Sequence, residues 1–169
     1  MQIPTFRAAS ISLTCLLTAT ATQGEIITVN NILLDGFQTV PPTGSAGTGI
    51  ATMMIDTVTR DITIDGSFEG LEADVLFGHL HGPADFGMST QITFFSLDIQ
   101  GDFMRSGTFH AFQRVNAFQL GVILDSRSYL NIHSSLHPAG EIRGQVVVPS
   151  PGGIGLLAAG GLISIRRRR

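Results

Sequence analysis

Short apolar runs that alternate with a period of two, each closed by a turn signal, constrain this chain more than any other feature. Such alternation puts every second side chain on one face of an extended strand, so each run specifies a half-buried strand rather than a helix. Within 47–55, Ala51, Met53 and Ile55 share a face. After a turn at Asp56-Thr57 the pattern resumes with Ile62, Ile64 and then Phe68. Further runs cover 26–34, 75–81, 91–99, 128–133 and 141–148. In 91–99 the residues Ile92, Phe94 and Leu97 fall out of phase, which predicts a bulge. Turns are expected at Asp35-Gly36, Asp65-Gly66, His81-Gly82-Pro83 and Pro138-Ala139-Gly140. This spacing predicts an all-β sandwich or small barrel. One stretch differs: Phe112, Val115, Phe118, Gln119, Val122 and Ile123 recur at threes and fours. It predicts a short helix over 112–123, capping an open end.

A length of 169 residues suits one domain. Charge excludes one class of partner. The stretch 24–150 holds all 13 acidic residues against five Arg, a net charge of −8, and no Lys occurs anywhere. Such a body repels phosphate backbones, so no nucleic-acid partner is expected.

The two ends read as addresses. Arg7, an apolar stretch over 8–17 and Ala19-Thr20-Ala21 predict an export signal at 1–21, cleaved after Ala21. Cys15 is the single cysteine and lies inside it, so the mature chain is expected to hold neither a disulfide nor a thiol nucleophile. At the other end, Pro149-Ser150-Pro151 leads to an apolar segment over 154–165 and then to Arg166, Arg167, Arg168 and Arg169. As a helix that segment rises about 18 Å, short of a bilayer core of roughly 30 Å. The 149–169 segment resembles the C-terminal sorting tags of the PEP-CTERM kind, with Pro-Ser-Pro where those tags have Pro-Glu-Pro. The resemblance implies a membrane sorting protease as partner and removal of the tail. It also implies an extracellular or cell-surface location, reached through transient membrane anchoring. A plain short tail anchor is the alternative.

Candidate chemistry lies with histidine and carboxylate. His79 and His81, two apart on one strand, leave it on the same face, which is how a strand presents two imidazoles to one metal ion. Tyr129, Asn131 and His133 share a face of a later strand. If the two strands are neighbours, His133 supplies a third nitrogen. His137, Asp85 or Glu141 could then complete a Zn²⁺ or Cu²⁺ shell. The structural alternative packs His79 inside against a backbone carbonyl and uses His81 to open the Gly82-Pro83 turn. Glu141 and Arg143 also alternate onto one face, with Ile142 toward the core, and are expected to form a structural pair. No catalytic residue stands out. There is no nucleophile elbow, no His-Glu-x-x-His and no Gly-rich phosphate turn, and scattered acids single out no glycosidase pair.

The same residues carry a family resemblance. Leu34-Asp35-Gly36-Phe37-Gln38-Thr39-Val40-Pro41-Pro42 comes first, followed by Gly70-Leu71. Then come His79-Leu80-His81-Gly82-Pro83-Ala84, Tyr129-Leu130-Asn131-Ile132-His133 and Pro138-Ala139-Gly140-Glu141-Ile142-Arg143-Gly144. In that order they resemble the CHRD domain, the module repeated in chordin, over 24–148. Thr39 departs from the pattern, standing where the family has Glu. The resemblance implies an immunoglobulin-like Greek-key sandwich or barrel, distantly similar to copper/zinc superoxide dismutases, and carries no activity with it. Dismutase chemistry is not expected: it needs several further histidines, and the acidic body has only Arg143 to stand in for a positive funnel. The functional expectation is an exported, envelope-associated structural or binding module, with envelope polysaccharide or protein as partner. The alternative is a Zn- or Cu-binding extracellular protein using His79, His81 and His133. An enzyme is the least supported class.

Overall fold

The computed structural model describes residues 24–101 and 105–149. The expected export signal and the tag from Ser150 onward lie outside the described residues. Among the described residues the order is β1 (Ile26–Asp35), β2 (Thr48–Asp56), β3 (Asp61–Glu69), β4 (Val75–His81), β5 (Thr93–Gln100), β6 (Gly107–Arg114), α1 (Ala117–Leu124), β7 (Ser128–Ser134) and β8 (Ile142–Val146). The strands close into a barrel in the order β1-β2-β3-β6-β5-β4-β7-β8. Every pairing is antiparallel. No described helix is long and apolar enough to cross a membrane.

Period-two alternation fills the barrel interior. Met53 and Ile55 from β2, Ile62 and Ile64 from β3, Leu80 from β4, and Leu130 and Ile132 from β7 are all fully buried in one cluster. Each such side chain contributes about 1.5–3 kcal/mol when taken out of water. The expected irregularity in the fifth run is present. Leu80 pairs with Phe95 and His81 with Thr93, which leaves Phe94 as the extra residue of a bulge.

The helix expected over 112–123 is corrected. Gly107–Arg114 is a strand, and the helix begins only at Ala117. Phe109 and Ala111 are buried while Phe112 is exposed, so period two governs this stretch as far as Phe112. The spacing of Phe112, Val115 and Phe118 spans two different elements. Asn116 marks the true start: its side chain accepts from the Gln119 amide at 2.9 Å, and Gln119 Oε1 accepts from the Asn116 amide at 3.0 Å. That reciprocal cap serves two amides that the first turn leaves without partners.

β7 lies between β4 and β8, and every residue of β7 and β8 is buried. The inner face of this region is apolar, through Leu130, Ile132 and Ile142. The other face carries Tyr129, Asn131, His133, Arg143 and Gln145, all buried. Loops cover it. Loop 36–47 is pinned to the start of β8 by Thr43 Oγ1, which donates to the Glu141 carbonyl at 2.9 Å, and by Ser45 Oγ, which donates to Glu141 Oε1 at 2.7 Å. The result is a second, polar layer outside the barrel core.

Candidate metal centre

Strand register builds the polar layer as a lattice. Between β4 and β7, Phe77 faces His133, His79 faces Asn131 and His81 faces Tyr129. Between β7 and β8, Asn131 faces Arg143 and Tyr129 faces Gln145. His133 is therefore a diagonal neighbour of His79, within reach for rings of this size.

The three imidazoles come together. Ring centroids lie 5.3 Å apart for His79 and His81, 5.1 Å for His79 and His133, and 5.9 Å for His81 and His133. One nitrogen from each ring lies within 4.8 Å of the other two. His79 Nδ1, His81 Nε2 and His133 Nε2 are buried without a hydrogen-bond partner. The remaining nitrogen of two rings faces a backbone carbonyl: His81 Nδ1 lies 3.2 Å from the Ile92 oxygen and His133 Nδ1 lies 3.0 Å from the Pro138 oxygen. A carbonyl only accepts, so each Nδ1 carries the proton and each Nε2 keeps its lone pair. Anchoring one ring nitrogen on a carbonyl while the other stays free is the usual support for a ligating histidine.

Electrostatics keep the rings neutral. Burial, then the neighbouring His79 and His133, pushes the pKa of His81 down to about 4, with Arg143 adding a smaller push and the Ile92 carbonyl opposing. Burial lowers His79 as well. It also lowers His133, where the Pro138 carbonyl opposes and His79 adds to the effect. Phe77 packs on the cluster, its ring 5.0 Å from His79 and 4.6 Å from His133. The cluster lies under a cleft of about 540 Å³ lined by Ser89, Thr90, Gln91 and Thr93.

With this geometry in view, the family can be assigned. The family model of the CHRD domain matches residues 31–146. The chain belongs to the CHRD domain family. Neither the curated proteins nor the solved structures returned a match. All three clustered histidines of this CHRD domain fall within the matched span.

The other expected ligands are placed elsewhere in the CHRD domain. His137 Nε2 lies 2.9 Å from Glu72 Oε2, and Asp85 Oδ1 lies 2.7 Å from Arg127 Nε. Glu141 is fully buried just before β8, where Oε1 accepts from Ser45 Oγ and, at 2.6 Å, from the Glu72 amide. His110 lies on β6, 2.7 Å from Asp65. Among the described residues no carboxylate joins the three histidines.

The expected pair of Glu141 and Arg143 does not form: the ion pairs among the described residues do not include it. Arg143 instead lies over Tyr129, with Cζ 3.8 Å from the ring centroid, and Nη2 donates to Gln145 Oε1 at 2.7 Å. Tyr129 also stacks on His81, at 5.1 Å. Its hydroxyl donates to the Thr90 carbonyl at 2.9 Å and accepts from the Thr90 amide at 3.2 Å. The stack of Phe77 on the histidines was not anticipated, although its position two residues before His79 placed it on their face. Gly140, at φ 125°, is required by the site: a Cβ there would run into the Asn131 side chain, whose Nδ2 donates to the Ala139 carbonyl.

Proposed function

We propose that this CHRD domain is a metal-binding module that holds one Zn²⁺ or Cu²⁺ ion on His79, His81 and His133. The observation that carries the reading is a set of three rings that each bring one nitrogen within 4.8 Å of the other two, and that each leave a buried nitrogen without a partner. Buried polar atoms are rarely left unmet, and facing lone pairs repel unless a cation lies between them. Neutral imidazole suits both metals, and each nitrogen would lie about 2 Å from the ion. Three protein ligands leave at least one coordination position open, of the kind found where a metal meets water or a ligand rather than where it only braces a fold. The cleft of about 540 Å³ gives that position access.

The setting of this module is part of the proposal. The export signal at 1–21 and the PEP-CTERM-like segment at 149–169 support an envelope or extracellular location, with a sorting protease as processing partner. The family resemblance supports an immunoglobulin-like or dismutase-like form of the barrel. An exported binding module that uses its covered face for metal joins both functional expectations from the sequence.

The test is elemental analysis of the full-length chain after incubation with Zn²⁺ or Cu²⁺ and removal of the excess. About one ion per chain is expected, and its absence from the His79→Ala/His81→Ala double variant. A chain that retains no metal, or a double variant that retains it fully, overturns the reading.

A further inference from the structure

Arg143 belongs to the same covered face but not to the histidine cluster. Its side chain is 3 % exposed. No carboxylate among the described residues pairs with it. The one acceptor it has is neutral: Gln145 Oε1, held in place because Gln145 Nε2 donates to the Ser126 carbonyl at 2.9 Å and the Ala84 carbonyl at 3.2 Å. Arg143 Nε and Nη1 are buried with no partner. A guanidinium keeps its charge at ordinary pH, so burial cannot be relieved by loss of a proton. A buried cation with two unmet donor nitrogens calls for a counter-anion. On the exposed surface the contrast is plain: Arg114 and Arg127 both carry aspartate partners.

The surrounding shape agrees. Arg143 lines two adjoining clefts, of about 340 and 330 Å³, which share Thr39, Val40 and Pro42 in their walls. Phe86 borders one and Leu136 the other, and both are exposed. A concave, mostly apolar hollow with one fixed charge is the usual form of a small-ligand site, and its low-dielectric walls strengthen the charge. We infer that Arg143 is the base of a second binding site in this domain, one that takes a small oxyanion such as a carboxylate or phosphate. The acidic body supplies no long-range attraction for such a ligand, so direct contact with the guanidinium sets the affinity. The site does not depend on metal at the histidines.

The test uses the full-length chain, stripped of metal by a chelator that is then dialysed away. The ¹⁵N resonance of Arg143 Nε–H is followed while chloride is exchanged for acetate, or for inorganic phosphate, at constant ionic strength. A saturable shift with either anion is expected. Saturation by acetate identifies a carboxylate ligand, and saturation by phosphate a phosphate ligand. Arg143→Gln, read by the heat of binding, should weaken the interaction at least about tenfold. Because that change also removes the contact with Tyr129, Val40→Trp is measured beside it. This substitution adds bulk at a wall common to both clefts, makes none of the contacts of Arg143, and should abolish the saturable shift. No shift with either anion, a shift that rises without saturating, or one that saturates unchanged in Val40→Trp overturns the inference and leaves the two nitrogens to water.

Discussion

The barrel has two outer faces that solve the same problem in opposite ways. On β2, β3 and β6 buried and exposed positions alternate over much of each strand, and the solvent face mixes polar groups with Ile50, Met54 and Phe112. The one arginine of these strands is paired. Arg114 makes a two-pronged contact with Asp61, at 2.7 and 2.9 Å, and that guanidinium holds the Asp61 carboxyl down to about 2. On β7 and β8 nothing is exposed, and the outer face is polar all the same. There the charge of Arg143 has no carboxylate, and three imidazole nitrogens have no partner. The inner faces of the two regions are alike in being packed with apolar side chains. The contrast teaches that hydrophobic burial inside the barrel provides the stability, while the covered outer face is arranged at a cost to it. Such a cost is maintained where bound ligands offset it.

The largest expected difference between the faces is in metal uptake. His133→Ala should drop bound Zn²⁺ or Cu²⁺ from about one ion per chain to background, whereas His110→Ala on β6 should leave it unchanged, both read by elemental analysis. Equal loss in the two variants would erase the distinction. The inner faces should behave identically. Ile132→Ala on β7 and Ile64→Ala on β3 each remove a fully buried side chain, and each should cost about 2–5 kcal/mol in denaturant unfolding. A marked asymmetry would move the special character of β7 into the core.

Glu141→Ala leaves the Ser45 hydroxyl and the Glu72 amide without an acceptor, and should cost about 1–3 kcal/mol. Asp65→Ala, on the exposed face, should stay within about 0.5 kcal/mol. Acid should also separate the faces. The unfolded chain takes protons on histidine near pH 6.5, while folded His81 resists them down to about 4, and His79 and His133 are displaced in the same direction. The unfolded state then binds more protons in that window. Stability of the metal-free chain is therefore full above pH 6.5, falls as pH drops toward 4, and gains no further loss from His81 below that. Urea midpoints across the window test this, and a triple His79→Ala/His81→Ala/His133→Ala variant should flatten the profile. A small effect is also expected of Tyr129→Phe, which removes the bonds to Thr90 but keeps the ring under Arg143. It should lower stability by about 1 kcal/mol and leave metal content intact.

Much of the fold was legible because a strand writes its faces into the sequence at every second residue. Met53 with Ile55, and Ile62 with Ile64, point inward as expected. β6 was hidden because Phe112, Val115 and Phe118 imitate a helical period across a strand end and a helix start, while the strand signal rests on Phe109 and Ala111 alone. The signal that could have placed the helix start is the spacing of Asn116 and Gln119, a capping pattern that the periodicity overlooks. At the site, the shared faces of His79 with His81, and of Tyr129, Asn131 and His133, follow from the same period of two. The pairing of Glu141 with Arg143 failed although they too lie two apart. A shared face brings side chains near one another, but Ser45 and the Glu72 amide reach the carboxyl from loops that local spacing does not describe.

By itself, then, the sequence determined which residues face together along each strand, where most of the turns fall and which histidines travel as a pair, because these depend on backbone geometry within a few residues; the turn expected at Asp65-Gly66 is instead the middle of β3, where pairing with β2 and β6 continues through both residues. Only the tertiary structure decided that β4 lies beside β7, that their register sets His133 diagonally from His79, and that loop 36–47 roofs the polar face. Strand order and loop closure are non-local: they are selected by how the whole apolar interior packs, and no short stretch of sequence carries that energy.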